Sequence, residues 1–349
     1  MAHNIWSQRF YGHREAAWHG LGVVNDREQT AVETLEMLGD YNVELTPLTI
    51  EIGGQVQTTN YFHIVRQPTP DDPQYRIFGE PVRDYEMIPP RTLARMVDDT
   101  IGRPVETMAM LGKGEKLFVT YRLPKATHAV GGFDEVQNYL LVYNPVHPGE
   151  AAGAYISHVR TVCQNTVRAA ISAATREYTI PHRPGASDLL KVWIGEQWQA
   201  AQMTIEVINE AFDLLAKKPV KDVQVKWIAQ SVYAMPGKPD PEAPRIRPFE
   251  DVMKEWEREV ERTAELRDTV FEMYAGKGTG LDDPRMRGTA WSAYQAVCEL
   301  ESYRRGRISS AAQSLINGGR ASRMQQTMSL LMADLPANPK LEKVAVARA

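Results

Sequence analysis

The chain has 349 residues, 43 % of them hydrophobic and 24 % charged, with a net charge of −4. That length can bury a large core and reads as two domains, while the net acidity excludes a globally basic nucleic-acid coat, so a polyanion partner would have to be met by a local cluster of cations. Two cysteines are too few for a disulfide framework, the first residues (MAHNIWSQRF) lack an apolar signal core, and no run approaches the ~18 apolar residues of a membrane span; the reading is a cytoplasmic protein without membrane contact.

The first half reads as strands with a few helices. Thr30 can cap a short helix over 31–38, which Gly39 ends. Residues 42–50 and 55–66 predict a hairpin turned at Gly53 and Gly54. Pro68, Pro70 and Pro73 mark an exposed loop, and 75–78 resumes a strand. Pro90 suits the first turn of a helix reaching about Ile101, with Leu93, Met96, Val97 and Ile101 on one face. Strands follow at 105–111 and 116–123, joined through Gly112, Lys113 and Gly114. In the second, Leu117, Val119, Tyr121 and Leu123 face one way and Lys116, Thr120 and Arg122 the other, the period of a half-buried strand. Residues 139–143 form a short apolar run and predict a more central strand; 153–162 predict another.

The second half reads as helix. Trp198, Ala201, Ile205, Ile208, Phe212 and Leu215 recur at alternating three and four, one apolar seam on a helix spanning about 187–217. Five prolines make 236–248 a stiff connector. A second long helix covers 249–274, with Val252, Trp256, Val260, Val270 and Tyr274 inward, and Thr289 opens a third over 290–303. A fourth runs from about Ser310 to Leu335 with an interruption at Gly318 and Gly319. Runs of strands followed by runs of helices predict an α+β fold: an N-terminal domain (1–185) on an antiparallel sheet with helices on one face, a mainly helical C-terminal domain (186–335), and a disordered tail (336–349).

Residues 157–171 (SHVRTVCQNTVRAAI) concentrate the chemistry. They read as the end of a strand and the start of a helix, with Thr161 and Gln164 spaced as a capping box. On that helix Gln164 and Arg168 share a polar face, flanked by Asn165 and Arg176. A helix start carries free N–H groups and partial positive charge, so Arg160 and Arg168 beside it suit a phosphate; the plainer alternative is a corner whose arginines pair with carboxylates. Cys163 would lie in the first turn, where a thiol pKa can fall, with His158 five residues earlier; otherwise it is a small core residue. The motif AWHGLG (17–22) offers Trp18 as a stacking surface, or as an anchor pinning an N-terminal arm. Residues 303–323 hold Arg304, Arg305, Arg307, Arg320 and Arg323 and no acid, which suits backbone phosphates as well as solvated helix ends. The run GKGTG (276–280) lacks the spacing and Lys-Ser/Thr of a phosphate-binding loop, and no metal-ligand motif occurs. The acidic pairs at 71–72, 98–99 and 282–283 read as solvated.

AWHGLG after MAHNI, Val82, Asp84 and Tyr85 before a proline-led helix, KLFVTYRLP (116–124), YLLVYN (139–144), VRTVCQNT (159–166) and GTAWSAYQAV (288–297) together resemble the phage/plasmid-like family catalogued as domain of unknown function 932. The likeness covers roughly 1–335. Many members carry Asn-Ser-His after the apolar strand, where this chain has Asn144, Pro145, Val146 and His147. The resemblance implies a gene of bacteriophages, prophages or plasmids acting in the bacterial cytoplasm. Its association with recombination and replication genes implies DNA handling of the single-strand-annealing kind.

The resulting expectation is a non-catalytic, cofactor-free protein that binds single-stranded DNA and can form homo-oligomers. Arg160, Arg168, Arg176 and Arg183 would form a phosphate track with Gln164 and Asn165 donating hydrogen bonds, Arg304, Arg305 and Arg307 would add a second, and Trp18 would stack on a base. The alternatives are a cysteine enzyme using Cys163 with a histidine, and an oligomerising scaffold.

Overall fold

Alternating apolar residues build a mixed sheet in the first half of the chain, and the computed structural model describes residues 5–13, 22–160, 165–167, 179–303 and 319–342. β1 (Ile5–His13) carries two non-glycine residues at positive φ, Ser7 at 47° and Gln8 at 61°, inside a bulge. Trp6 and Arg9 thereby come together, with the Arg9 guanidinium 3.8 Å and that of Arg66 4.5 Å from the Trp6 ring. β2 (Val23–Asn25) runs parallel to β1, and Gly22 makes the approach feasible. Its φ is +86°, and a Cβ there would lie 2.2 Å from the Phe10 carbonyl oxygen.

α1 (Ala31–Met37) has the capping box expected at Thr30, closed by Glu33. A partner distant in sequence completes the cap: Asp98 accepts from the N–H groups of Ala31 at 2.7 Å and Val32 at 3.0 Å. β3 (Val43–Ile52) and β4 (Gln55–Arg66) form the expected hairpin, and β5 (Arg76–Val82) completes a three-stranded sheet. β5 pairs only with the base of β4, so the ribbon over 49–58 stands clear of the body, with Ile50, Ile52 and Val56 in solvent. Of the acidic pairs expected in solvent, Asp72 is buried and salt-bridged to Arg66 and Arg76, and Asp98 caps α1.

α2 (Pro90–Ile101) starts on Pro90 and ends at Gly102 in the left-handed conformation. Its face Leu93, Met96, Val97 and Ile101 is buried. The large sheet adds β6 (Thr107–Leu111), β7 (Lys116–Val130), β8 (Asp134–Pro145), β9 (Ala152–Arg160), β10 (Asn165–Val167) and β11 (Thr179–Ile180). Its order is β10–β9–β8–β7–β6–β1–β2, with β11 also on β9, and every described pairing except β1 with β2 is antiparallel. β7 runs past the expected end at Leu123 because Pro124 falls in a register shift between Arg122 and Thr127, where a missing N–H is tolerated.

Leu117, Val119, Tyr121 and Leu123 face the helices as their period requires. The other face is not left to solvent at this end: Phe10, Ala109, Leu111, Phe118, Tyr143 and Tyr155 form a second buried cluster, and Lys116 and Thr120 are buried too. α3 (Ala186–Lys217) is about 48 Å long at the usual helical rise. Its seam enters two cores. Ala201 and Ile205 pack with α1, α2 and the sheet, while Ile208, Phe212 and Leu215 pack with the second half of the chain; Trp198 is half-buried. Each fully buried Ile, Leu or Phe contributes roughly 1.5–3 kcal/mol, so this one stripe joins sheet and helices into a shared interior.

The second core is built by α4 (Asp222–Val232), which the sequence pattern did not single out, α5 (Phe249–Glu272), α6 (Ala290–Tyr303) and α7 (Gly319–Met332). The architecture is α+β, an N-terminal sheet with helices on one face followed by a mainly helical region. Of the tail expected to be disordered, 336–342 lies along α4 and α5: Gln224 donates to the Pro336 carbonyl, and Glu342 pairs with Arg267 at 2.9 Å.

Candidate functional site

β9 and β10 form a hairpin with Arg160 opposite Asn165 and His158 opposite Val167. The helix expected from Thr161 therefore does not hold across 165–167. Thr166 and Val167 are β-branched, and the free edge of β9 offers them a ladder of backbone hydrogen bonds. The face expected of Gln164 and Arg168 lies outside the described residues, and Asn165, expected to flank it on a helix, is on a strand. β10 packs against α6, so the end of the sheet meets the helical core here.

His158 sits at this corner and is buried. Its Nδ1 donates to Asn138 Oδ1, while Asn138 Nδ2 donates to the Ala126 carbonyl at 2.9 Å. Its ring meets Phe212 edge-on at 5.3 Å. Burial pushes the imidazole pKa down to about 3, so the ring is neutral near pH 7 and a poor base. Position 160 stands opposite Val136 of β8.

Two residues before Val136, Asp134 is buried and accepts the indole N–H of Trp291 at 2.6 Å. Trp291 belongs to the GTAW segment, so this contact ties that segment to the start of β8, 157 residues earlier in the chain. Beside it an open cleft of about 500 Å3 is lined by Phe133, Asp134, Asp282, Asp283 and Arg285, among others. Asp283 holds the Arg285 guanidinium by two nitrogens, Nε at 3.0 Å and Nη2 at 2.6 Å, and the guanidinium carbon lies 4.6 Å from the centre of the Phe133 ring. The hydrogen bond to Asp283 raises the Arg285 pKa, keeping it cationic.

The rejected GKGTG run borders the cleft through Gly280. It begins inside a π-helical turn (Met273–Lys277), where Gly276 has φ 110°. The N–H and hydroxyl of Thr279 both donate to the Glu299 carboxylate, at 3.0 and 2.8 Å. An internal carboxylate thus takes the place an anion would need.

A second polar cluster, which the sequence reading left unassigned, lies at the other end of β8. Glu150 accepts from Lys116 and from the Tyr143 hydroxyl at 2.6 Å, and His147 Nε2 stands 3.4 Å from it. Hydrogen bonds from His147, Lys116 and Tyr143 outweigh the cost of burial and bring the Glu150 pKa down to about 2, while His147 is raised by Glu150 and the Pro148 carbonyl against burial. The carboxylate is saturated by three donors, so this cluster pins the turn between β8 and β9. The departure from Asn-Ser-His was the signal for it. Asn144 reaches inward to the Ile88 carbonyl, and His147 closes the turn.

Of the residues expected to bind nucleic acid, Arg160 and Asn165 are placed as paired positions at the sheet edge. Arg183 is exposed near the start of α3. β11, three residues before it, pairs with the opposite end of β9, about 25 Å from Arg160 by strand rise. Trp18, Cys163, Gln164, Arg168, Arg176, Arg304, Arg305 and Arg307 lie outside the described residues. Arg320 and Arg323 turn inward. Arg320 donates to the Glu301 carbonyl at 2.7 Å and Arg323 to its buried carboxylate at 2.8 and 3.2 Å, so these two are structural and not part of a phosphate surface. Among the described residues no cluster of His, Cys, Asp and Glu could hold a metal ion, and no helix is long and apolar enough to cross a membrane.

A family model described as Domain of unknown function (DUF932) matches residues 78–331, from β5 to the end of α7. The match takes in the corner, the cleft and the Glu150 cluster, and leaves out β1 to β4. No curated protein and no solved structure matches the chain.

Proposed function

The chain belongs to the DUF932 family, and we propose that it is a non-catalytic nucleic-acid-binding protein, carried by a phage or plasmid, that holds single-stranded DNA in recombination or replication in the bacterial cytoplasm. The observation that carries this reading is the packing of β10 on α6. The segment with Arg160, Arg168 and Arg176 runs through β10, and the segment with Arg304, Arg305 and Arg307 leaves from the end of α6. Two arginine-rich stretches, more than a hundred residues apart in sequence, are thus attached to adjoining elements at one sheet edge. Arg183 follows β11 at the far end of β9 and stands apart from these two stretches.

The chemistry of His158 favours binding over catalysis. Cys163 would need a base, and the nearest histidine in sequence is buried, neutral and committed to Asn138.

The test is fluorescence anisotropy of a labelled single-stranded oligonucleotide over a salt series. Affinity falls steeply with salt, and Arg168→Ala flattens the log–log slope by about 0.7–1. Absence of binding at micromolar protein and low salt refutes the proposal. Sedimentation with and without oligonucleotide addresses homo-oligomers. Assembly that depends on DNA fits an annealing protein, and assembly indifferent to DNA fits a scaffold.

A further inference from the structure

We propose that the cleft between Phe133 and Arg285 is a base-reading pocket that takes one unpaired guanine of the bound strand. The inference rests on the single-strand reading above and adds a site and a base preference to it.

Three features of the cleft lead there. The first is a fixed stacking surface. An arginine side chain in solution has many rotamers and makes a poor platform. Here Asp283 grips two nitrogens of Arg285 and Phe133 supports its carbon from one side, yet the side chain remains 62 % exposed. A guanidinium held over an aromatic ring offers its outer face to a base.

The second is the character of the hydrogen-bonding rim. Asp134, Asp282 and Asp283 line the same space. Asp134 is already bonded to the Trp291 indole and Asp283 to Arg285, so Asp282 is the carboxylate that meets a ligand; a carboxylate only accepts, and this one repels phosphate and suits a base edge made of donors. Guanine presents two adjacent donors, N1–H and the N2 amino group, matched to the two oxygens of one carboxylate. Thymine presents one N–H between two carbonyl oxygens, which the same acids oppose. Asp282 is exposed at the mouth and is the residue best placed to make this pair. The volume, about 500 Å3, falls within the roughly 300–1,000 Å3 of small-ligand sites.

The third is position. Asp134 lies two residues along β8 from Val136, the neighbour of Arg160, a spacing of about 7 Å. The cleft therefore adjoins the strand position of Arg160, where the arginine-bearing segment begins. A strand whose phosphates follow the arginines can turn one base into it, while the acids keep the backbone out.

The experiment compares a short labelled all-thymine oligonucleotide with the same oligonucleotide carrying one central guanine. The parent protein binds the guanine form roughly fivefold tighter or more, the low end of the discrimination that one bidentate base-edge pair gives. Asp282→Asn and Arg285→Ala, both at exposed positions, each reduce that preference to near unity. Equal affinity of the parent for the two oligonucleotides, with salt-sensitive binding of both, overturns the pocket and leaves the wider reading standing. Variants that retain the preference also overturn the pocket. Failure of either oligonucleotide to bind overturns both.

Discussion

Replacing Glu301 with glutamine tests whether the arginines of α7 are structural. Glu301 is fully buried, and its carboxylate accepts from Arg323 Nε and Nη2 and from the Tyr233 hydroxyl at 2.7 Å. Glutamine keeps the volume and one acceptor, but its amide sets a donor against donors and leaves the guanidinium without a counter-charge. Breaking a buried pair costs about 3–5 kcal/mol. Arg323 is 25 % exposed and can draw on water, which places Glu301→Gln near the lower end, about 3 kcal/mol. Arg323→Met strands the more deeply buried member and costs more, about 4–5 kcal/mol. The double variant then costs less than the sum, because neither charge is left alone. Urea unfolding followed by helical circular dichroism measures all three. A Glu301→Gln midpoint equivalent to less than about 0.5 kcal/mol, with an additive double variant, refutes the reasoning. Arg323→Met also leaves oligonucleotide affinity unchanged if its charge is spent inside the fold.

Two further outcomes follow from local geometry. His158 has its pKa depressed from 6.5 to about 3, so its contribution to stability is complete above about 6.5 and is lost as pH falls toward 3, at up to ~1.4 kcal/mol per pH unit. His158→Gln, which cannot titrate, unfolds with a shallower dependence on acid; a slope identical to the parent's contradicts the assignment. At Gly22, alanine meets both a positive φ and the Phe10 carbonyl oxygen, and a loss above ~2 kcal/mol is expected in thermal or urea unfolding. An unchanged midpoint means that the junction of β1 and β2 yields more easily than its geometry implies.

Local features of the fold were legible because their causes are local. The Thr30 capping box, Pro90 at the start of α2, the Gly53–Gly54 hairpin and the three-four seam of α3 all appear where the pattern puts them. Misses arose where a distant partner decides the outcome. Position 165 became strand because β9 was beside it, and β7 crossed Pro124 because its register shifts there. The fate of Arg320 and Arg323 was set by a buried acid on the preceding helix, which spacing alone does not mark as inward. The candidate site was half legible. The segments VRTVCQNT and GTAW stood out, but only the fold brings Trp291 to Asp134 and opens the cleft beside it.

The ribbon over 49–58 has a practical use. Its tip reaches about 17 Å beyond the last position shared with the body, at the usual rise along a strand. A Cβ at Gly53 or Gly54 would touch nothing, and the ribbon carries no lysine or arginine to attract DNA. A fluorophore or a short inserted peptide at this turn would report on the tumbling and assembly of the molecule from a ribbon of the smaller sheet, which shares no strand with the sheet that carries β9 and β10.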